Sequence, residues 1–319
     1  MTTPLFHLTV PLDDETSGVG EASLVPGQIV LECMTRIGEW HIRRALRQVE
    51  RGLSDEVFPP LYGSRLTYAR RPSGRQDWLD APAVVQRGSG DREDLAAYRA
   101  AELRVSGVAA EPVLGFRRGK AGLTVRPAVR LPDGTVEDPA RAMGAADNEP
   151  DRGIVTLPLV HLSLPDTDDG SHFAPLQIAL EGLSRLDEWH IRRALRRAIT
   201  GLPTEEIPPL YHSGVVYREE APGHEDWLDA PAVVRQGHAH LEDLAAYRAA
   251  ELRVAGYPCE PVIKWQWIPR DMMIRQGYPA DKLPDRGVWM VHCCVRYADG
   301  SVEDPSKILG MGGNFTERI

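Results

Sequence analysis

The chain has 319 residues, of which 42% are hydrophobic and 26% charged, the composition of a globular protein with room for about two domains. Its net charge of −9 and pI near 5.6 exclude the basic surface that a nucleic-acid binder needs. No apolar run approaches the roughly 20 residues of a membrane span, and the first thirty residues lack a basic region followed by an apolar one. The four cysteines, Cys33, Cys259, Cys293 and Cys294, are too few for a disulfide framework and predict reduced thiols in a cytosol-like compartment.

In chain order, an alternating run over 6–12 predicts a strand. An amphipathic helix is predicted over about 27–51, with Ile29, Met34, Ile37, Trp40, His41, Ala45 and Val49 at spacings of three and four. Gly52 follows as its stop. A proline-containing stretch with Tyr62, Tyr68 and Trp78 leads to a second helix, EDLAAYRAAELRV at 93–105. Residues 109–116, 123–130 and 135–138 read as antiparallel strands, with Pro132-Asp133-Gly134 as a hairpin turn.

The pattern then begins again. A second opening strand is predicted over 155–164, and a second long helix over 175–200 with Gly201 as its stop. EDLAAYRAAELRV recurs unchanged at 242–254, and Trp40-His41-Ile42-Arg43-Arg44-Ala45-Leu46-Arg47 recurs at 189–196. These words and the Asp-Trp-Leu-Asp-Ala-Pro word (77–82 and 226–231) share an offset of 149. The Asp-Gly turn word at 133–139 recurs at 299–305, an offset of 166, so the second copy carries 17 further residues between Ile263 and Gly287. A period this long means two tandem domains. We expect an α+β chain with domains at 1–149 and 150–319, joined through the polar stretch 145–153, and an inserted loop near 265–286 in the second.

These words in this order resemble the small bacterial and phage transglutaminase-like cysteine-protease domains of the papain-like fold. The family pattern runs roughly W-x-D-P, G-G-G-D-C-E-D-L-A, A-E-L-R, a strand His, and D-G-x-x-E-D-P-S-x-x-L-G-M. Matching residues are Trp78-Leu79-Asp80-Ala81-Pro82, Gly88-Ser89-Gly90-Asp91-Arg92-Glu93-Asp94-Leu95, Glu102-Leu103-Arg104, and the second copy's 299–311. The resemblance covers most of both copies. It implies, for each, a long helix and a signature helix packed on an antiparallel sheet. It also implies a thiolate that attacks an acyl carbon, a His as its base and an acid that orients the His. Carried over residue by residue, the Cys position is Arg92 in the first copy and Leu241 in the second. The His position is Arg126 and His292. The acid is Asp138 and Asp304, with turn residues Asp133 and Asp299 as the alternative. A guanidinium stays protonated and leucine has no polar atom, so neither nucleophile position supports the reaction.

Three other chemistries stay open at the level of sequence. A displaced thiol could act; Cys294, two residues from His292, shares its strand face, although a buried core role is the ordinary reading. His238, His240 and His292 could converge on a metal. Arg92 and Arg126 together need either an acid such as Asp138 or Glu137, or a bound anion at the helix start. In the inserted segment Trp265, Trp267, Met272 and Met273 would either close over the old cleft or offer a protein-binding surface. Trp40, Trp78, Trp189 and Trp227 read as core, Arg43, Arg44 and Arg47 as a solvated basic stripe with a partner surface as the alternative, and 312–319 as a flexible or docking tail. We expect a non-catalytic structural or interaction protein: a pseudoenzyme with no cofactor and no nucleic-acid or membrane partner. Its partners would be proteins, in the cytoplasm or in an assembly such as a phage virion or phage-like particle.

Overall fold

A computed structural model describes residues 2–7, 25–55, 57–71, 77–119, 122–146, 159–164, 170–171, 173–219, 226–275, 277, 279–283 and 285–311. The first copy contains β1 (Thr2–His7), α1 (Val25–Glu50), β2 (Thr67–Tyr68), β3 (Asp77–Leu79), α2 (Ala81–Arg87), β4 (Ser89–Gly90), α3 (Arg92–Val105), β5 (Glu111–Gly119), β6 (Gly122–Arg130), β7 (Val136–Glu137) and α4 (Pro139–Ala142). The second contains β8 (Leu159–Ser163), α5 (Phe173–Ile199), β9 (Val216–Tyr217), β10 (Trp227–Leu228), α6 (Ala230–Gln236), β11 (His238–Ala239), α7 (Leu241–Val254), β12 (Cys259–Pro269), α8 (Arg270–Arg275), β13 (Gly287–Tyr297), β14 (Val302–Glu303) and α9 (Pro305–Ile308). The chain is thus α+β. Among the described residues no helix is long and apolar enough to cross a membrane.

Both long helices end where their glycines require. Gly52 has φ +65° and Gly201 φ +69°, the left-handed region open to glycine. Leu53 N–H then closes on the Gln48 carbonyl at 2.9 Å, and Leu202 N–H on that of Arg197 at 2.9 Å. The apolar stripe of α1 (Val30, Leu31, Met34, Ile37) and that of α5 (Leu180, Leu183, Leu186) enter one hydrophobic cluster spanning both copies. Burying each such side chain contributes about 1.5–3 kcal/mol relative to exposure. Trp78, Trp189 and Trp227 are buried. Trp40 is only half-buried, because it sits at the rim of the helix face with the Arg44 guanidinium 5.9 Å from its ring.

The copies are joined by a pairing that crosses between them. A four-stranded sheet has the order β10-β1-β8-β3. β1 runs parallel to β10 of the second copy, β8 runs parallel to β3 of the first, and β1 and β8 meet antiparallel. Across the middle lies the row Trp227, Phe6, Val160, Trp78, which reads the same from either copy. The helices repeat this near-two-fold relation. Cys33 of α1 and Gly182 of α5 are equivalent positions, and they face each other. A Cβ added to Gly182 would stand 2.8 Å from the Cys33 sulfur, so the glycine makes room for the thiol.

Two antiparallel sheets follow α3 and α7: β5-β6-β7 and β12-β13-β14. Their open edges are sealed at the root by a glutamine from the long helix. Gln28 donates to the Pro112 carbonyl (2.6 Å) and accepts from Leu114 N–H (2.9 Å); Gln177 does the same with Pro261 and Ile263 at 2.8 Å each.

The segment expected as an inserted loop is a hairpin. β12 and β13 pair without interruption from Cys259↔Tyr297 to Pro269↔Gly287. Only the tip, α8 and a 3₁₀ turn at Ala280–Lys282, departs from the ladder. Trp265 and Trp267, two residues apart, lie on one face of β12, while α8 and the 3₁₀ turn form the tip beyond the ladder. Parts of the opening strands (8–12 and 155–158), most of the join (147–153) and the tail 312–319 lie outside the described residues.

Candidate functional site

Most polar side chains of the word repeated without change have structural duties. Asp94 and Asp243, the third residues of α3 and α7, each accept one main-chain N–H from the residue that caps their helix (Asp91, 2.9 Å; His240, 3.1 Å) and one from the Trp-Leu strand (Leu79 and Leu228, both 2.8 Å). Tyr98 and Tyr247 hydroxyls donate to the carbonyls of Pro59 and Pro208. Arg99 lies 4.7 Å over the Tyr62 ring and bonds Glu102 (2.8 Å) and Glu137 (2.9 Å). Arg248 repeats this with Tyr211 (4.7 Å), Glu251 (2.9 Å) and Glu303 (2.7 Å). Arg104 clamps Glu32 of α1 with two 2.8 Å bonds, and Arg253 holds Glu181 of α5 at 2.8 Å. Glu137 and Glu303 also accept the Tyr62 and Tyr211 hydroxyls, which fixes the strand leading into Asp138 and Asp304.

In the first copy a tight turn leads into α3. Gly88, at φ +72°, ends α2 and turns the chain into β4. Asp91 caps α3 and accepts the Arg71 N–H at 3.1 Å. The buried Arg71 guanidinium bonds Asp94. At the next position Arg92 lies 3.7 Å from Asp138, donates to the Ala146 carbonyl (3.2 Å) and covers the Tyr68 ring at 5.5 Å. Asp138 therefore stands where an anionic ligand for Arg92 would go, while Glu137 belongs to Arg99. Arg126 sits on β6 opposite Gly115, the register position that His292 holds on β13 opposite Lys264.

In the second copy the two residues expected as base and orienting acid lie side by side. His292 Nδ1 is 3.4 Å from Asp304 Oδ2. Burial alone would raise Asp304, but hydrogen bonds from His292, Ser306 and Lys307 outweigh it and bring its pKa down to about 2. The turn acids are committed elsewhere: Asp133 and Asp299 each accept their own turn's N–H at 2.9 Å. Leu241 begins α7 as a buried member of the shared core.

The displaced thiols are poorly placed for attack. Burial pushes the Cys33 thiol up to about 12 and the Cys294 thiol to about 11, and it raises Cys259 and Cys293 as well. A protonated, buried thiol is a weak nucleophile. The three imidazoles do not converge on a metal: among the described residues no group of three or more His, Cys, Asp or Glu is arranged to hold one. His238 lies between Arg218 Nη1 (3.2 Å) and Gln236 Nε2 (2.8 Å), His240 pairs with Glu242 (2.7 Å) and stacks on Tyr217, and His292 serves Asp304. Each is held by its own strand or helix start.

The expected partner surface is only partly available. Trp265 is 45% exposed, Trp267 39% and Met272 40%, but Met273 is 2% exposed because α8 folds it inward. Trp265 stacks on Phe173 at 4.8 Å and Trp267 meets Trp289 edge-on at 5.3 Å, so both rings are rigidly backed. Ile274, 42% exposed, extends the patch and was not foreseen. Also unforeseen are the buried charges Arg71, Asp80 and Asp187, since a sequence shows charge but not depth. No protein-family model, curated protein or solved structure gives a significant match to the chain.

Proposed function

We propose that this chain is a non-catalytic structural and interaction protein, built from two transglutaminase-like units at 1–149 and 150–319 that keep the family's frame and have lost its nucleophile. The observation that carries this reading is the structural employment of the Asp, the Tyr, both Arg and the second Glu of the repeated word. Its Asp, Tyr, Arg and Glu side chains cap helices, close turns and tie the signature helix to the long helix in both copies. The positions where chemistry would start hold an ion-paired Arg92 and a buried Leu241.

The site of action on this reading is the extended hairpin of the second copy, whose Trp265, Trp267, Met272 and Ile274 offer rigid apolar area to a protein. The assembly it serves is one in the cytoplasm or a phage virion or phage-like particle. The test is native mass spectrometry of the protein isolated from its own source. A stoichiometric protein partner is expected, lost from the Trp265→Ala/Trp267→Ala variant while the fold stays intact. A chain that runs partnerless and monomeric from its own source would contradict the proposal.

A further inference from the structure

The two copies differ at one fully buried place that neither old cleft uses. In the first copy, Gly38 of α1 packs toward Ala81 and Ala101. At the equivalent position of α5 the second copy has Asp187, with no exposure at all. Asp187 Oδ1 accepts the Ala230 N–H at the start of α6 (2.7 Å), and its Oδ2 has no hydrogen-bond partner.

The groups that face it come from three helices. From α6 comes Asp229, also fully buried, which caps that helix through the Ala232 N–H at 3.1 Å. From α5 itself comes His190, whose Nε2 is 3.4 Å from Asp229 Oδ2, while Arg253 reaches Ser184 one turn back but is clamped to Glu181. From α7 comes Tyr247, whose hydroxyl is already donated to Pro208. The charge that bears on Asp187 is therefore that of Asp229, and it has the same sign. One N–H donor, no cation and a second carboxyl nearby do not accommodate an ionised carboxylate at this depth.

We propose that Asp187 is held as the neutral acid and acts as a pH-operated latch on the joint of α5 and α6, released when it ionises. Release would loosen α6 and the 237–241 turn that follows it; the first copy, with Gly38 in place of the carboxyl, lacks this group. Burial raises the Asp187 pKa well above the ordinary carboxylate value. The folded chain therefore holds a proton that the unfolded chain has given up. Stability is lost as pH rises from the ordinary carboxylate value through the folded one, about tenfold in the unfolding constant for each unit.

The test is hydrogen exchange of the full chain across that range, corrected for intrinsic rates, with α6 of Asp187→Asn as the reference for α6 of the wild type, since the cap of α2, Asp80, is itself raised to about 6. We expect protection of α6 in the wild type to fall with rising pH relative to that variant, by about tenfold per unit. Asp187→Gly, which copies Gly38, serves as the second reference. Parallel pH dependence of α6 in the wild type and in both variants would overturn the latch.

Discussion

The crossing of α1 and α5 gives the sharpest quantitative test of how the two copies are joined. In Gly182→Ala the new Cβ stands 2.8 Å from Cys33 Sγ and 3.2 Å from Cys33 Cβ. Ordinary contact needs roughly 3.5–4.0 Å, so the helices must part by close to an ångström or the thiol must leave its site. Overpacking of this kind costs about 1–3 kcal/mol. Against it stands the helix preference of alanine over glycine, up to about 1 kcal/mol. The net expectation is a loss of about 1–2 kcal/mol, read as a lower urea midpoint with unchanged slope. Cys33→Ala removes the sulfur and should recover most of that loss in the double variant, giving a coupling energy of about 1 kcal/mol or more. Effects that simply add, within about 0.3 kcal/mol, would mean that the two positions do not touch and that the near-two-fold junction is misread.

Three further outcomes follow from the same geometry. Asp94→Ala strips the buried Arg71 of its partner and should cost about 3–5 kcal/mol by denaturant unfolding, with part restored by Arg71→Met in the same chain. At the junction between copies, burial raises Asp80 to about 6 and lowers His41 to about 4. Asp80 thus loses about 3 kcal/mol of stability as pH rises from 4 to 6, and His41 loses about 3 kcal/mol as pH falls from 6.5 to 4. The two nearly cancel in the wild type. His41→Gln should expose the first slope and Asp80→Asn the opposite one, both measured by urea midpoint against pH; parallel profiles would refute the pairing. Asp304→Asn should remove an acid loss on the order of 2 kcal/mol that the wild type shows as pH falls from about 4 to 2.

What the sequence reveals and what it hides have physical reasons. The long helices and the signature helix are read to within two residues, because a 3.6-residue period and a terminal glycine are local signals. The β5 and β6 strands are legible from their apolar runs and the β6–β7 turn from its Asp-Gly. The exchange of β1 and β8 between copies is not, since pairing over such separations leaves no local mark. Nor is the continuation of β12 through Trp265–Pro269, because Trp-Gln-Trp-Ile-Pro has no clean apolar–polar alternation; the ladder to β13 decides the matter. The positions of Arg92, Leu241, His292 and Asp304 follow from aligned words. That Asp138 rather than a ligand answers Arg92 requires the 3.7 Å separation itself. The buried Asp80, Asp187 and Arg71 owe their character to depth, which a charge in a sequence does not disclose.

The proposal that the chain has no working nucleophile is tested most directly by iodoacetamide labelling of the native chain near neutral pH, with each cysteine followed by peptide mass. All four thiols should label more slowly than in the unfolded chain, since each is raised in pKa by burial. A single cysteine that labels faster folded than unfolded, with an activity that disappears on its replacement, would contradict the account.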